Sequence, residues 1–370
     1  MKIEEFRLER NQSLFENTVS YNLTESGIHP CSLKDFLSKD EQQEVLELEL
    51  GYGQTNGDPI LRDAISDMYS RYQRDNILVT NGSAEANFVA IWSLLEEGDE
   101  ITMMLPNYML VWGLARSFGV EVKPFHLRHE SNWGIDWDEL EGAVSSRTKM
   151  IVICNPNNPT GGVMTEEDMT RVAALAGSVG AYIASDEIYR GSELDGREGT
   201  SFHEVYDRSI ILSGLSKSMA HPGLRLGWVA ADREVVDQCW HHHDYTSIST
   251  GIISQYVGQK LLEPGRRQKI LNRGRDILRT NLDYLCNWIA ARSDRFSLTP
   301  PRAGGMAFVH YEMPINSSEL ADRLRREKSV FVVPGDWYGM DHYLRFGIGC
   351  EHRVLKEGLD LIDEFLEETI

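Results

Sequence analysis

The strongest constraint on the fold is a regular alternation between short apolar runs and amphipathic stretches, from about residue 76 to residue 230. The apolar runs predict buried strands at Ile77–Thr80, Glu100–Met104, Val120–Lys123, Met150–Cys154, Ala181–Ser185, Ser209–Leu212 and Leu226–Ala230. Nearly continuous apolar strands separated by amphipathic helices are typical of a mostly parallel sheet that is covered on both faces. The sequence therefore predicts an α/β fold with a three-layer αβα arrangement.

The alternation weakens after about residue 255, which predicts a second, smaller α+β lobe. A long helical stretch is expected from about Gln255 to Ala291. Shorter elements are expected at Gly305–His310, Ser318–Glu327, Val330–Val333, Tyr343–Gly347 and in a closing helix from Glu351. Residues 1 to about 40 mix polar residues with turn formers and predict an arm or an irregular lead-in. We divide the 370 residues into an N-terminal arm (1–40) that joins the small domain, a large domain (41–255) and a small C-terminal domain (256–370).

The charge balance argues against several classes of partner. The chain has 57 acidic and 37 basic residues and a formal net charge of −20, so neither a nucleic acid nor an anionic membrane is an expected partner. The five cysteines are scattered without a CxxC spacing and are expected to be reduced thiols. The sequence starts without the apolar core of a signal peptide, and no apolar run is long enough to cross a bilayer. We therefore expect a soluble, cytoplasmic protein.

The stretch Ser213–Trp228 carries the first chemical signal. Lys217 follows a buried strand and is surrounded by small residues, so we expect partial desolvation that favours the neutral amine needed for a Schiff base. Arg225, eight residues later, stays charged and suits a phosphate. An amine for an aldehyde and a guanidinium for a phosphate together point to pyridoxal phosphate (PLP). Taken alone, the stretch would more often be a surface lysine after a strand.

Two further motifs follow predicted strands. In Asn81-Gly82-Ser83-Ala84, the free N–H groups of a helix start and a serine hydroxyl form an anion site, although an ordinary strand–helix turn has the same pattern. Tyr108 follows the strand Glu100–Met104 and could stack on a flat heterocycle, whereas an isolated aromatic is more often core.

Two more specific motifs follow the next strands. The loop Cys154–Gly162 contains two Asn-Pro steps and a Thr-Gly, which would hold the amide of Asn158 rigidly enough to donate to a phenolate oxygen. Asp186 ends another strand, where a partly buried carboxylate requires a cation such as a protonated pyridine nitrogen. Tyr189, three residues on, reaches the same side of such a ring. A helix-capping role is the alternative for Asp186.

With these motifs in order, the chain resembles the fold-type-I PLP enzymes of the aspartate aminotransferase superfamily, and most of all the class I/II aminotransferases. The most specific parts are Asn155–Gly161, Ser185–Tyr189 and Ser216-Lys217 with Arg225. The resemblance covers nearly the whole chain. It implies the PLP-dependent transferase fold, PLP as cofactor bound by the large domain, an amino acid and a 2-oxo acid as substrates in a ping-pong reaction, and a homodimer with shared active sites.

The resemblance also implies roles for individual residues. Lys217 would carry the cofactor as a Schiff base and move the α-proton, Asp186 would pair with the pyridinium, and Tyr189 and Asn158 would bond the ring oxygen. Tyr108 would stack on the ring. The phosphate would be held by Ser83, Ala84, Ser216 and Arg225, with Tyr52 reaching it from the neighbouring subunit. Arg345 would grip the substrate α-carboxylate, which Asn158 and Gly27 would also approach.

Three features depart from this pattern or compete with it. Many relatives carry a phosphate-binding serine three residues before the lysine, but here Gly214 occupies that place, so Ser213 or water is expected to substitute. No residue matches the arginine that binds the distal carboxylate in dicarboxylate-specific relatives. The run His241–His243 does not suit a metal, because consecutive helical residues point about 100° apart, and we expect a surface or interface role. No metal site is predicted.

Two alternative functions remain open at this stage. The same site could run elimination, replacement or cyclisation on an amino acid, as in relatives similar to capreomycidine synthase or aminocyclopropane-carboxylate synthase. A non-catalytic PLP-fold protein, such as the sensing half of a regulator, is less consistent with the sequence, because every catalytic position is filled and no DNA-binding module is present.

Overall fold

The structure is a computed structural model that describes residues 3–369. The helices are α1 (Arg7–Phe15), α2 (Leu33–Phe36), α3 (Lys39–Glu47), α4 (Pro59–Ser66), α5 (Ser83–Leu94), α6 (Leu110–Ser117), α7 (Trp137–Ala143), α8 (Glu166–Val179), α9 (Phe202–Val205), α10 (Arg233–His243), α11 (Ile252–Leu262), α12 (Pro264–Ala290), α13 (Ser317–Lys328) and α14 (His352–Thr369). The strands are β1 (Tyr21–Asn22), β2 (Ile77–Thr80), β3 (Glu100–Leu105), β4 (Glu121–Arg128), β5 (Gly134–Ile135), β6 (Thr148–Cys154), β7 (Tyr182–Asp186), β8 (Ser209–Gly214), β9 (Gly227–Ala230), β10 (Phe296–Leu298), β11 (Met306–Tyr311), β12 (Val330–Phe331), β13 (Val333–Pro334) and β14 (Tyr343–Gly347). Within residues 3–369, no helix is long and apolar enough to span a membrane.

The large sheet confirms the predicted α/β architecture. Its strand order is β2-β9-β8-β7-β6-β3-β4-β5, and the pairs β3·β4, β3·β6, β6·β7 and β7·β8 are parallel. Strand β9 is antiparallel to both β2 and β8, so β2 runs in the same direction as β8. The carboxyl ends of β2, β3, β6, β7 and β8 therefore lie at one edge of the sheet.

Both faces of this sheet are buried, as the continuous apolar strands predicted. Along β6, Met150 and Val152 pack into a core shared with α5, α6 and α10. Ile151 and Ile153 point the opposite way, into a core shared with α4, α8 and α11. Alternate side chains of a strand face opposite sides of a sheet, so the two cores form the two helical layers of an αβα structure.

The second lobe is built on a small antiparallel sheet with the order β10-β11-β14-β13. Its core combines that sheet with α12, α13 and α14. The predicted single helix from Gln255 to Ala291 is wrong in one respect, because it is divided into α11 and α12 at Glu263. Pro264 explains the break, since it has no backbone N–H and its ring disfavours a helical conformation at the preceding residue.

The N-terminal segment is more ordered than the predicted irregular lead-in. It forms α1, and β1 pairs in parallel with β12 of the small lobe. The predicted strand Val330–Val333 is also divided, because Val330–Phe331 pairs with β1 whereas Val333–Pro334 pairs with β14. The division into an arm, a large domain and a small domain at residues 40 and 255 stays a prediction.

The local sequence explains where α4 begins. Asp58 caps α4 by accepting from the backbone N–H groups of Ile60 (2.8 Å) and Leu61 (3.2 Å), with Pro59 at the first helical position. The cysteines are free thiols, as expected.

Candidate active site

The common edge of the large sheet frames a cavity with a volume of about 290 Å³. Most of the predicted site residues line it: Ser83, Ala84, Tyr108, Asn158, Asp186, Tyr189, Ser216, Lys217, Arg225 and Arg345. Gly27 lies beside it, since a Cβ added there would be 3.2 Å from Lys217 Cδ. Tyr52 lies elsewhere, with 84% of its surface exposed. The chain thus places residues from both lobes around one space.

Lys217 follows β8 and meets a carboxylate that the sequence did not predict. Its Nζ donates to Glu25 Oε1 at 2.5 Å, and the backbone N–H of Gly27 donates to the same oxygen at 2.9 Å. The Lys217 ammonium is the main cause that lowers the pKa of Glu25 to about 2. Glu25 therefore places an opposite charge beside the amine, in addition to the small residues that were expected to desolvate it in part.

An anion site lies where α5 begins. Ser83 and Ala84 open this helix, and no side chain caps its first N–H groups. The Arg225 guanidinium packs against the turn that precedes α5, where a Cβ added to Gly82 would lie 2.4 Å from Arg225 Nη2. Within residues 3–369, Arg225 has no ion pair, and its Nη1 donates to the carbonyl of Pro222 at 3.0 Å. Ser216 lines the same cavity. Together, the uncapped N–H groups, the guanidinium and the serine hydroxyl suit a dianion such as a phosphate.

Close packing explains why residue 214 is a glycine. A Cβ there would lie 2.7 Å from the carbonyl oxygen of Leu226 and 3.0 Å from Gly227 Cα, so a serine does not fit between β8 and β9. The expected substitute Ser213 is engaged elsewhere, because its hydroxyl donates to the carbonyl of Glu187 at 3.3 Å. Ser213 also lies outside the set of described residues that line the cavity.

Asp186 stands at the end of β7, and no cation among residues 3–369 forms an ion pair with it. Its Oδ1 accepts from the backbone N–H of Ile188 at 3.1 Å, and its Oδ2 accepts from Asn87 Nδ2 at 3.4 Å. Removal from water raises the pKa of Asp186 to about 6, although these hydrogen bonds and Lys217 act in the opposite direction. A carboxylate in this state is a suitable partner for a protonated ring nitrogen.

Asn158 and Arg345 are held by the same hydrogen-bond network. Arg345 Nη1 donates to Asn158 Oδ1 (2.8 Å) and to the Tyr338 hydroxyl (2.6 Å), while Nη2 donates to the carbonyl of Thr24 (2.5 Å). Because the amide oxygen accepts from a guanidinium, the amide NH₂ of Asn158 is left to donate. Arg345 is 1% exposed, and its Nε has no hydrogen-bond partner among residues 3–369. This orphaned donor fits a bound carboxylate.

Helix α1 contributes to the site, which was not predicted from the sequence. Tyr108 donates through its hydroxyl to Glu9 Oε1 at 2.6 Å, and Gln12 Nε2 donates to Thr24 Oγ1 at 2.9 Å. Glu9, Gln12 and Glu16 all line the cavity. The signal was the spacing of Gln12 and Glu16, which are four residues apart and so share a helix face.

The two tyrosines that were predicted to contact the cofactor ring both line the cavity. Phe6 packs edge-to-face on Tyr108, with ring centroids 4.9 Å apart, which fixes the orientation of the tyrosine. The Tyr189 hydroxyl hydrogen-bonds Ser26 Oγ at 2.8 Å, and burial raises the pKa of Tyr189 well above its usual value. A buried neutral phenol at this position can donate a hydrogen bond to an anionic oxygen.

The three histidines do not share one environment. His243 is fully buried and contacts Glu85 Oε2 at 3.4 Å, so the expected surface role is wrong for this residue. The His242 ring packs edge-to-face on the Trp92 ring, with ring centroids 4.6 Å apart. Among residues 3–369, no group of three or more His, Cys, Asp or Glu side chains could hold a metal ion.

Comparison with known proteins agrees with this geometry. The sequence model of the family described as aminotransferase class I and II matches residues 29–362. The chain belongs to this family. The chain is 33% identical to a PLP-dependent aminotransferase from Streptococcus suis 89-1591. The crystal structure of that protein superposes with a TM-score of 0.94, and the match covers 100% of this chain and 99% of that chain.

Two curated relatives show how wide the family is. The aminotransferase is 27% identical to capreomycidine synthase of Streptomyces vinaceus over 349 residues, 93% of this chain and 89% of the relative. It is also 27% identical to aspartate aminotransferase of Thermotoga maritima over 326 residues, 86% and 84% of the two chains. It is a PLP-dependent enzyme with the fold-type-I transferase fold.

The cavity fits PLP at each of its polar groups. The start of α5 with Arg225 and Ser216 suits the phosphate, and Asp186 suits the protonated ring nitrogen. Asn158 is oriented to donate to the ring oxygen, and Lys217 provides the amine. The orphaned Arg345 Nε remains for the substrate.

Proposed function

We propose that this enzyme moves an amino group from an amino acid to a 2-oxo acid by a ping-pong reaction in which Lys217 binds PLP covalently. One observation carries this proposal. A lysine, a partly buried carboxylate with a raised pKa and a buried arginine with an unpaired donor line the same cavity. The three groups correspond to the attachment of the cofactor, the protonation of its ring and the binding of an α-carboxylate.

Each residue then has one task. When bound, PLP supplies an electron sink for the negative charge that develops at the substrate Cα. Asp186 would keep the ring nitrogen protonated. Lys217 Nζ, which the substrate amine would displace from the cofactor, would take the proton from Cα and deliver it to the cofactor rather than back to Cα. Arg345 orients the α-carboxylate, so that the Cα–H bond is held within reach of Lys217. Tyr189 and Asn158 donate to the ring oxygen, and the Tyr108 ring covers one face.

The oligomeric state belongs to the same proposal. Leu46, Leu50 and Tyr52 are 79%, 76% and 84% exposed, which is a concentration of apolar surface on one segment of the chain. We expect this segment to be buried between two subunits of a cytoplasmic homodimer, with Tyr52 reaching the phosphate of the neighbouring subunit. A symmetric dimer of this kind has two equal shared sites.

Cofactor attachment and reaction type can be tested with one preparation. Borohydride should fix PLP to the peptide that contains Lys217, and a label on another lysine would overturn the assignment. An amino acid given without an acceptor should change the absorbance of the bound cofactor in one stoichiometric half-reaction. A 2-oxo acid should then restore the absorbance, which is the mark of a ping-pong mechanism.

A second candidate function is a lyase or cyclase acting on an amino acid. The similarity to capreomycidine synthase over 93% of this chain favours it. The same removal of the Cα proton serves both reactions, so the residues described above do not separate them. Continuous turnover of a single amino acid with no acceptor present would favour this second function over transamination.

A further inference from the structure

Three glutamates from the N-terminal segment line the cofactor cavity. Glu9 and Glu16 belong to α1 and its C-terminal cap, and Glu25 follows β1. Gln12, one turn before Glu16, anchors this face of α1 through its hydrogen bond to Thr24. The carboxylates are thus presented by a helix that packs over the site and by the loop that contacts Lys217.

These glutamates are close enough to influence one another. Burial raises the pKa of Glu16, and the carboxylates of Glu25 and Glu9 raise it further. Within residues 3–369, neither Glu9 nor Glu16 has an ion pair within 4.0 Å. The hydrogen bond that the Glu9 carboxylate accepts from these residues comes from the Tyr108 hydroxyl. The cavity therefore holds more negative charge than its own cations neutralise.

The cations of the cavity are already assigned. Arg225 suits the phosphate, and Arg345 has its orphaned Nε for an α-carboxylate. Lys217 pairs with Glu25, but it must be a neutral amine when it accepts a proton from the substrate. A neutral amine leaves Glu25 without a cation. At that stage, Glu9, Glu16 and Glu25 all lack a positive partner, which is costly in a partly desolvated site.

We propose that the preferred amino acid substrate carries a cation, an ammonium or guanidinium, at the end of its side chain, bound by Glu16 and Glu25. This inference rests on the proposed function and adds the substrate class. Arg345 holds the α-carboxylate, and its Nη2 contacts Thr24, the residue next to Glu25. The anchor for the substrate α-carboxylate and the acidic site for the substrate side chain are therefore neighbours in one cavity. An acidic side chain is repelled by the same three glutamates, and a neutral one leaves them unpaired.

The test is a spectral titration of the PLP-loaded enzyme with matched pairs of amino acids. L-arginine is compared with L-citrulline, and L-lysine with L-norleucine, because each pair has a similar shape and differs in side-chain charge. At least one cationic member should bind about tenfold more tightly than its neutral partner, the factor that one charge-assisted hydrogen bond supplies. The apparent Kd is read from the cofactor absorbance, so turnover is not required.

Variants assign this preference to the two glutamates. Glu16→Gln and Glu25→Gln should each reduce the ratio of neutral to cationic Kd about threefold, because the two glutamates share the tenfold preference, and Glu25→Asp should restore part of the ratio. A merely structural role would weaken both members of a pair equally. Glu5→Gln is the matched control, because Glu5 is an exposed carboxylate just before α1 that lies outside the lining of this cavity. It removes the same charge and should leave the ratio unchanged.

The outcomes separate the inference from the proposed function. If neutral amino acids change the absorbance and bind as tightly as cationic ones, the substrate class is wrong and the proposed function stands. An unchanged ratio in both glutamine variants would also overturn the assignment. If none of the amino acids, including L-alanine and L-aspartate, changes the absorbance, the proposed function fails and this inference fails with it.

Discussion

Arg345 connects more parts of the site than any other described side chain in the cavity. It donates to the amide of Asn158, the hydroxyl of Tyr338 and the carbonyl of Thr24, which leaves two of its five N–H groups, on Nε and Nη2, without a partner among residues 3–369. The planar guanidinium makes these contacts in a fixed geometry that an ammonium cannot reproduce. Its loss therefore disturbs both the substrate anchor and the orientation of Asn158.

We expect Arg345→Lys to lower kcat/KM nearly as much as Arg345→Ala. Losing a two-pronged, charge-assisted pair in a closed site costs on the order of 2–5 kcal/mol in transition-state binding. Steady-state kinetics with the best amino donor would measure the change. A value within about threefold of the wild type, roughly 0.7 kcal/mol, would show that another residue is the anchor.

Asp186 gives a prediction for the enzyme without cofactor. Its pKa is raised to about 6 in the folded chain, so between about pH 4 and pH 6 the folded state binds more protons than the unfolded state. This group alone therefore makes the apoenzyme less stable as the pH rises through that window. Asp186→Asn should stabilise the apoenzyme at pH 8 by on the order of 2 kcal/mol, and by little at pH 4.

Denaturant unfolding of the apoenzyme at both pH values would measure this difference. The same substitution should weaken PLP binding, because the ring nitrogen loses its anionic partner. Equal stability of the wild type and the variant at pH 8 would contradict a desolvated carboxylate at this position.

At the scale of elements, the spacing of β8 and β9 decides which residues surround the lysine. Gly214 and Gly227 are paired across these strands, and both backbones approach their neighbours too closely for a side chain. The anion site depends on this approach, because a Cβ on Gly227 would lie 2.4 Å from the backbone nitrogen of Ser83.

We expect Gly214→Ser to destabilise the enzyme by about 1–3 kcal/mol, the usual cost of overpacking. The neighbour is a backbone carbonyl rather than a flexible side chain, so relief requires a shift of the strand. Thermal denaturation measures the effect, and Gly223→Ser is the control, since a Cβ there meets nothing within 4 Å. Equal melting temperatures for the two variants would refute the packing explanation.

At the scale of the whole molecule, the proposed second subunit would explain the position of Tyr52. The residue lies outside its own cavity and is largely exposed. Mixing inactive Lys217→Ala with inactive Tyr52→Ala subunits should give hybrid dimers in which one site carries both defects and the other is intact. Activity recovered in isolated hybrids would support shared sites, whereas a fully active monomer would contradict them.

The sequence by itself determined the layered α/β fold and the set of residues at the sheet edge. Strand periodicity and turn chemistry depend on near neighbours, and the carboxyl ends of parallel strands meet at one edge. Motifs that follow separate strands, such as those of Asn158, Asp186 and Lys217, were therefore predicted to be close together. The lining of the cavity confirms their common location.

Only the tertiary structure decided what surrounds these residues. Glu25 lies 192 positions before Lys217, and Thr24 lies 321 positions before Arg345. No local pattern specifies which surface a distant segment packs against, because that choice depends on side-chain fit and chain closure across the whole molecule. The same reason explains why the segment after α13, which was predicted as one strand, is divided between two sheets. The acidic face of α1 over the cavity, which suggests the substrate class, is a property of that packing.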